Sequence, residues 1–195
     1  MNRSSIENSD SNSVIKISKV AAAERQLVVA LQLWFRNADP VAIHTLAFAS
    51  SEILSSLHFG RRTGYKTPQQ VMVEFAAEDG QGQLMKSWLN KSANFFKHAD
   101  RDPEAEHEFD PIFTQLTLIS AVRALQQLGG ELPIEVRAFA MWFFLANPDF
   151  YADTGIPTFQ ADVEELRSSL PGGRMEFYRL FEANADRLLA DEQPS

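Results

Sequence analysis

The residue types able to do chemistry gather in one stretch, Lys91-Ser92-Ala93-Asn94-Phe95-Phe96-Lys97-His98-Ala99-Asp100-Arg101-Asp102. An imidazole, an amide, two ammonium groups and two carboxylates fall there within about three helical turns. Lys91, Asn94 and His98 are spaced i, i+3 and i+7, which on a helix sets them in one polar seam beside Phe95. A seam bordering an apolar arc suits acid–base work, because partial burial moves an imidazole pKa and fixes its tautomer. The same spacing suits a structural role, with Asn94 and His98 satisfying each other or a backbone carbonyl. Lys91, Asn94 and His98 are therefore the candidate catalytic residues, with a packing role as the alternative.

Two further constellations lie nearby. Asp100, Asp102, Glu104, Glu106, His107, Glu108 and Asp110 follow His98 and offer many oxygen and nitrogen ligands, the raw material of a divalent-metal regulator. Counted from Asp100, however, an EF-hand loop would need Gly where Ala105 stands and Glu where Pro111 stands. No pair of histidines has helical ligand spacing either. The expectation is a solvated acidic connection with no metal and no cofactor, in which Asp100 and Asp102 cap a helix beginning near Pro103. His44, one turn from Phe48, offers a second imidazole that would pair with His98 across a cleft, or else pack as a hydrogen-bonded residue on a helix flank. The glycine pairs Gly80/Gly82 and Gly172/Gly173 read as helix breakers, without the strand-to-helix setting of a phosphate loop.

The elements that position these groups read as helices throughout. Residues 1–13 are rich in Ser and Asn and are expected to be a disordered tail; 14–195 is expected to be a single helical domain. Ser18 caps a first helix with Val20, Ala23, Leu27, Leu31, Trp34 and Phe35 on one face. Asp39-Pro40 stops it and starts a second, burying Ile43, Leu46, Ala47, Ile53, Leu54 and Leu57. So short a link predicts an antiparallel helical hairpin. Residues 58–67 (HFGRRTGYKT) read as a loop, and Arg61, Arg62 and Lys66 form its basic patch. Pro68 opens a helix through Gln69, Val71, Met72, Phe75 and Ala76, interrupted by Gly80-Gln81-Gly82. The next helix, about 83–98, is expected to bury Leu84, Met85, Trp88, Leu89, Phe95, Phe96 and Ala99. Pro111 starts another, with Ile112, Leu116, Ile119, Val122, Leu125 and Leu128 inward, ended by Gly129-Gly130. Residues 134–145, after Pro133 and closed by Pro148, are apolar nearly all round and so belong to a central helix or a subunit interface. A turn-rich link at 151–158, a short helix at 159–170 and a last helix at 174–189 complete an all-α bundle of about six to eight helices.

Composition agrees. Hydrophobic residues make up 45% of 195, with fifteen Phe, enough for a real core. The absence of Cys removes thiolate chemistry and fits a reducing cytoplasm. No basic-then-apolar leader opens the sequence, and the run at 138–146 is about half a membrane span, so neither secretion nor a membrane is expected. A net charge of −8 argues against gripping nucleic acid through the overall field.

The opening pair AAAERQLVVALQLWFRN and DPVAIHTLAFASSEIL, followed by a helix ending Asn94-Phe95-Phe96-Lys97-His98, resembles the HEPN superfamily of small α-helical domains. The string NFFKHADRDP also looks like a segment of uncharacterised bacterial proteins of that type. The resemblance covers about 19–128. In ribonucleolytic members the motif is an Arg, a short spacer and a His, often with a polar residue after the Arg. The resemblance implies that these residues meet across a dimer and cleave RNA without metal. His98 matches the His and Asn94 the polar residue. The Arg positions hold Ala93, Ser92 and Lys91, of which Lys91 alone keeps the charge, without the planar fork that clamps phosphate. The expectation is a HEPN-like domain acting through protein association, as a homodimer. A metal-independent ribonuclease or nucleotide-modifying enzyme using His98 is the alternative.

Overall fold

Ser18 Oγ accepts the Ala21 N–H at 3.1 Å and opens α1 (Lys19–Phe35). Asp39 Oδ1 does the same for Ala42 at 3.0 Å, with Pro40 in the first turn of α2 (Pro40–Arg61). Both caps satisfy amides that a helix start leaves unpaired. This computed structural model describes residues 14–98, 103–147, 168 and 172–185. The tail at 1–13, the link at 151–158, the helix expected at 159–170 (apart from Ser168) and the residues after 185 lie outside the described ones. So do Pro148, Ala99, Asp100 and Asp102. The remaining elements are α3 (Pro68–Glu78), α4 (Gly82–Lys97), α5 (Ile112–Leu128), α6 (Ile134–Ala146) and α7 (Arg174–Ala183). Among the described residues there is no strand, and the fold is all-α.

α1 and α2 pack as the antiparallel hairpin, and α2 also lies along α5. Small residues allow the close approach: Ala23, Ala30, Ala47 and Ser50 are wholly buried, and Ser50 Oγ donates to the Ala23 carbonyl at 2.8 Å. α6 fills the centre of the other side. Val136, Ala138, Phe139, Phe143 and Leu145 are buried, and Phe139 meets Trp34 edge to face with centroids 4.9 Å apart. The all-round apolarity of α6 is thus largely used inside the chain, against α1, α5 and α7. Arg174 of α7 closes this core by laying its guanidinium over Trp34, 4.2 Å from the ring centroid.

Several expectations are corrected. α2 continues through 58–61, with the left-handed Arg62 (φ 52°) as its C-cap. His58 explains the extra turn: its ring lies 2.7 Å from Thr63 Oγ1 through Nδ1 and 2.8 Å from the Ala124 carbonyl through Nε2, pinning the helix end to α5. No helix begins at Pro103. Pro103 and Glu104 form a turn, residues 105–110 are irregular, and Asp110 Oδ1 accepts the Ile112 N–H at 2.9 Å. His44 and Phe48 are not on a flank but buried. The largest departure concerns the inward face expected for α4, which packs against α3. Apart from Gly82 and Ala93, neither helix has a fully buried residue.

α3 and α4 nevertheless form a tight hairpin. Thr67 and Gln70 make a reciprocal capping box at the start of α3. Gly80 takes φ +73° in the turn. A Cβ on Gly82 would sit 2.8 Å from Ala77 Cβ, so only glycine allows this approach.

Candidate functional site

α4 carries the residues singled out from sequence, but it distributes them differently. Lys91 and Asn94 lie on its exposed face rather than at the edge of the core. His98 is also exposed. It is the C-cap, with extended backbone (φ −129°, ψ 117°), and its N–H donates to the Asn94 carbonyl at 3.1 Å. The helical seam therefore breaks at its last member, because the chain leaves the helix there. His44 is enclosed, 1% exposed, so it and His98 do not face a common cleft.

Other residues come together instead. Ser92 Oγ lies 2.8 Å from His107 Nε2, and the His107 ring packs on Phe95 with centroids 5.1 Å apart. Phe96 meets Phe109 edge to face at 5.1 Å, and His44 lies 6.0 Å from Phe96 and 5.1 Å from Phe109. Lys97 holds its ammonium 4.6 Å from the Phe48 centroid and 3.3 Å from Glu52 Oε2. The buried His44 is neutral. Desolvation, helped by the positive fields of Lys97 and His107, lowers its pKa from 6.5 to about 4. Its Nδ1 is 3.3 Å from Thr114 Oγ1, and its Nε2 has no hydrogen-bond partner.

The Ser92–His107 distance is one at which a hydroxyl can pass a proton to an imidazole. Its visible effect is mechanical, fastening the acidic segment to α4. The signal was present in the sequence: across 106–110 the half-buried His107 and Phe109 alternate with exposed Glu106, Glu108 and Asp110. That period of two marks an extended strap lying on the bundle. Among the described residues no three His, Cys, Asp or Glu side chains group closely enough to hold a metal ion.

The hairpin α3–α4 has two unlike faces. Towards α2 it leaves a gap of about 370 Å³ whose walls mix Ser55, Gln70 and Lys86 with Phe48, Val73 and Leu89. Gln70 Nε2 donates across it to Ser55 Oγ at 2.8 Å, and Lys97 reaches Glu52. The outward face is apolar. Val71 and Phe75 of α3 are 51% and 71% exposed, and Leu84 and Trp88 of α4 are 67% and 47% exposed. Each pair is one helical turn apart and so shares a side of its helix. Both sides border the first half of α5: Trp88 leans edge-on against Phe113 (4.3 Å), and Val71 lines a groove with Leu116. Ile112, expected to point inward, is 50% exposed at the same end.

Fold and site define an all-α bundle whose core is α1, α2, α5, α6 and α7, with a peripheral hairpin turning apolar side chains to solvent. Compared with protein-family models, curated proteins and solved structures, the chain matches none. No helix among the described residues is long and apolar enough to cross a membrane.

Proposed function

We propose that this chain is a HEPN-like helical domain that works through protein association, as a homodimer in the cytoplasm, with the outer face of α3–α4 as the contact. The observation carrying this reading is the exposure of Val71, Phe75, Leu84 and Trp88 together on a hairpin with almost no buried apolar residue of its own. Scattered exposed apolar residues need no explanation, but paired ones on adjoining helices mark an interaction surface. The side facing α2 is held in part by hydroxyl, amide and ion-pair contacts, and Val71, Phe75 and Leu84 remain mostly exposed on their own bundle. The cysteine-free composition supports the cytoplasmic setting. Light scattering across the micromolar range tests it: the parent is expected to be a dimer, and Phe75→Glu with Leu84→Glu a monomer of unchanged helix content. A monomeric parent would overturn the reading.

Ribonuclease activity is the second reading, favoured by the exposure of Lys91, Asn94 and His98 around the last turns of α4, where a substrate phosphate has access. Cleavage of single-stranded RNA in EDTA, abolished by His98→Ala, is its expected signature. Equal rates for parent and variant remove it.

A further inference from the structure

A groove of about 500 Å³ runs between the loop before α3, one flank of α3 and the face of α5 bearing Leu116, Ser120, Arg123 and Gln127. That is within the size range of small-molecule sites, roughly 300–1,000 Å³. Val71, Met72 and Leu116 give it apolar walls, and Met72 is unbranched and adaptable. Its charged lining residues are Lys66 and Arg123, both cationic, in a chain of net charge −8. Lys66 reaches Glu74 at 2.6 Å, but that pair is exposed and so weakly held, and Glu74 belongs to the gap on the other side of α3. Tyr65 adds a phenol whose pKa is raised by burial, with Arg123 opposing, so it is a hydrogen-bond donor at neutral pH.

An independent observation marks the groove's floor. Ser120 is completely buried, and its hydroxyl has no hydrogen-bond partner. A helical hydroxyl ordinarily returns to the carbonyl one turn back, as Thr117 does to Phe113 at 2.9 Å in this same helix. An unpaired buried hydroxyl is uncommon and calls for a partner.

We propose that this groove binds a small amphipathic carboxylate, its hydrocarbon body along Val71, Met72 and Leu116 and its head towards Arg123, Lys66 and the Ser120 hydroxyl. Calorimetric titration of the full chain with octanoate, 1-octanol and inorganic phosphate tests it. Octanoate is expected to bind, 1-octanol at least about tenfold more weakly, and phosphate not measurably, since neither body nor head suffices alone. Arg123→Gln and Lys66→Gln each weaken octanoate, and Ser120→Ala weakens it to a smaller extent. Lys66 is exposed, so its variant keeps the test valid if the Arg123 variant fails to fold. Octanoate giving no heat, octanol binding equally well, or affinity unchanged in both charge variants would overturn the assignment. Phe75 and Leu84 lie outside the groove, so Phe75→Glu with Leu84→Glu leaves octanoate affinity intact, which separates octanoate binding from dimerisation although Val71 borders both surfaces.

Discussion

His107 Nε2 stands 2.8 Å from Ser92 Oγ, joining an irregular acidic segment to a helix fifteen positions earlier. With Phe95 and Phe96 against the same ring, this contact holds the segment that covers His44. Histidine at this point gives the strap one polar tie and one aromatic surface.

If that tie holds the segment, Ser92→Ala removes one hydrogen bond and costs about 1 kcal/mol of stability. The more telling effect is local. Amide hydrogen exchange over 103–110 is expected to quicken in Ser92→Ala and more so in His107→Ala, while α1 and α6 stay protected. Unchanged exchange in that segment would show that the tie does not anchor it.

His44 predicts the response to acid. Its folded pKa is near 4 while the unfolded chain keeps about 6.5, so between those values the unfolded state binds more protons. Stability from this group is complete above about pH 6.5 and is lost as the pH falls towards 4. The loss is roughly 2–3 kcal/mol by pH 4.5. Denaturant titrations at pH 7 and 4.5 on the parent and His44→Leu check it: the parent should lose that much more than the variant. Equal losses would place the acid sensitivity elsewhere.

The caps and the central helices were legible because their causes are local. Ser18, Asp39-Pro40 and Gly129 act within a turn of where they stand, and the apolar run of α6 implies a core wherever it goes. Thr67 and Gln70 form a capping box whose residue pattern stands in the sequence beside the stronger helix signal of Pro68. The extra turn of α2 was not legible, because it depends on His58 reaching a carbonyl sixty-six residues away. Apolar spacing on α3 and α4 showed that a face exists but not which molecule covers it. Helical spacing joins His98 to Lys91 and Asn94 only while the helix continues, whereas the chain becomes extended at His98 and the period then changes from helical to two.

His58 makes a second stability prediction. The Ala124 carbonyl can only accept, so Nε2 carries the proton and Nδ1 accepts from the Thr63 hydroxyl, which also takes the Tyr65 N–H at 3.2 Å. His58→Leu would remove both ring hydrogen bonds that pin the end of α2 and release the loop, costing about 2–3 kcal/mol. Thr63→Val, which keeps the bond to Ala124, should cost about 1 kcal/mol. Thermal melts compare them; a larger loss for Thr63→Val would reverse the proposed order of importance.

Trp88 separates packing from association. A fully buried tryptophan cut to alanine loses about 3–5 kcal/mol, the expectation that goes with an inward-facing Trp88. Here the ring is 47% exposed and rests edge-on against Phe113 at 4.3 Å, an aromatic pair contributing about 0.5–1.5 kcal/mol beyond its buried area. Trp88→Ala should therefore lower monomer stability by only about 1–2 kcal/mol. If the outer face of α3–α4 is the dimer contact, the same change removes a large aromatic from its centre and raises the dissociation constant at least tenfold, about 1.4 kcal/mol. Sedimentation measured beside chemical denaturation reads the two effects apart. A large stability loss with unchanged self-association would return Trp88 to the core and leave the hairpin without its partner.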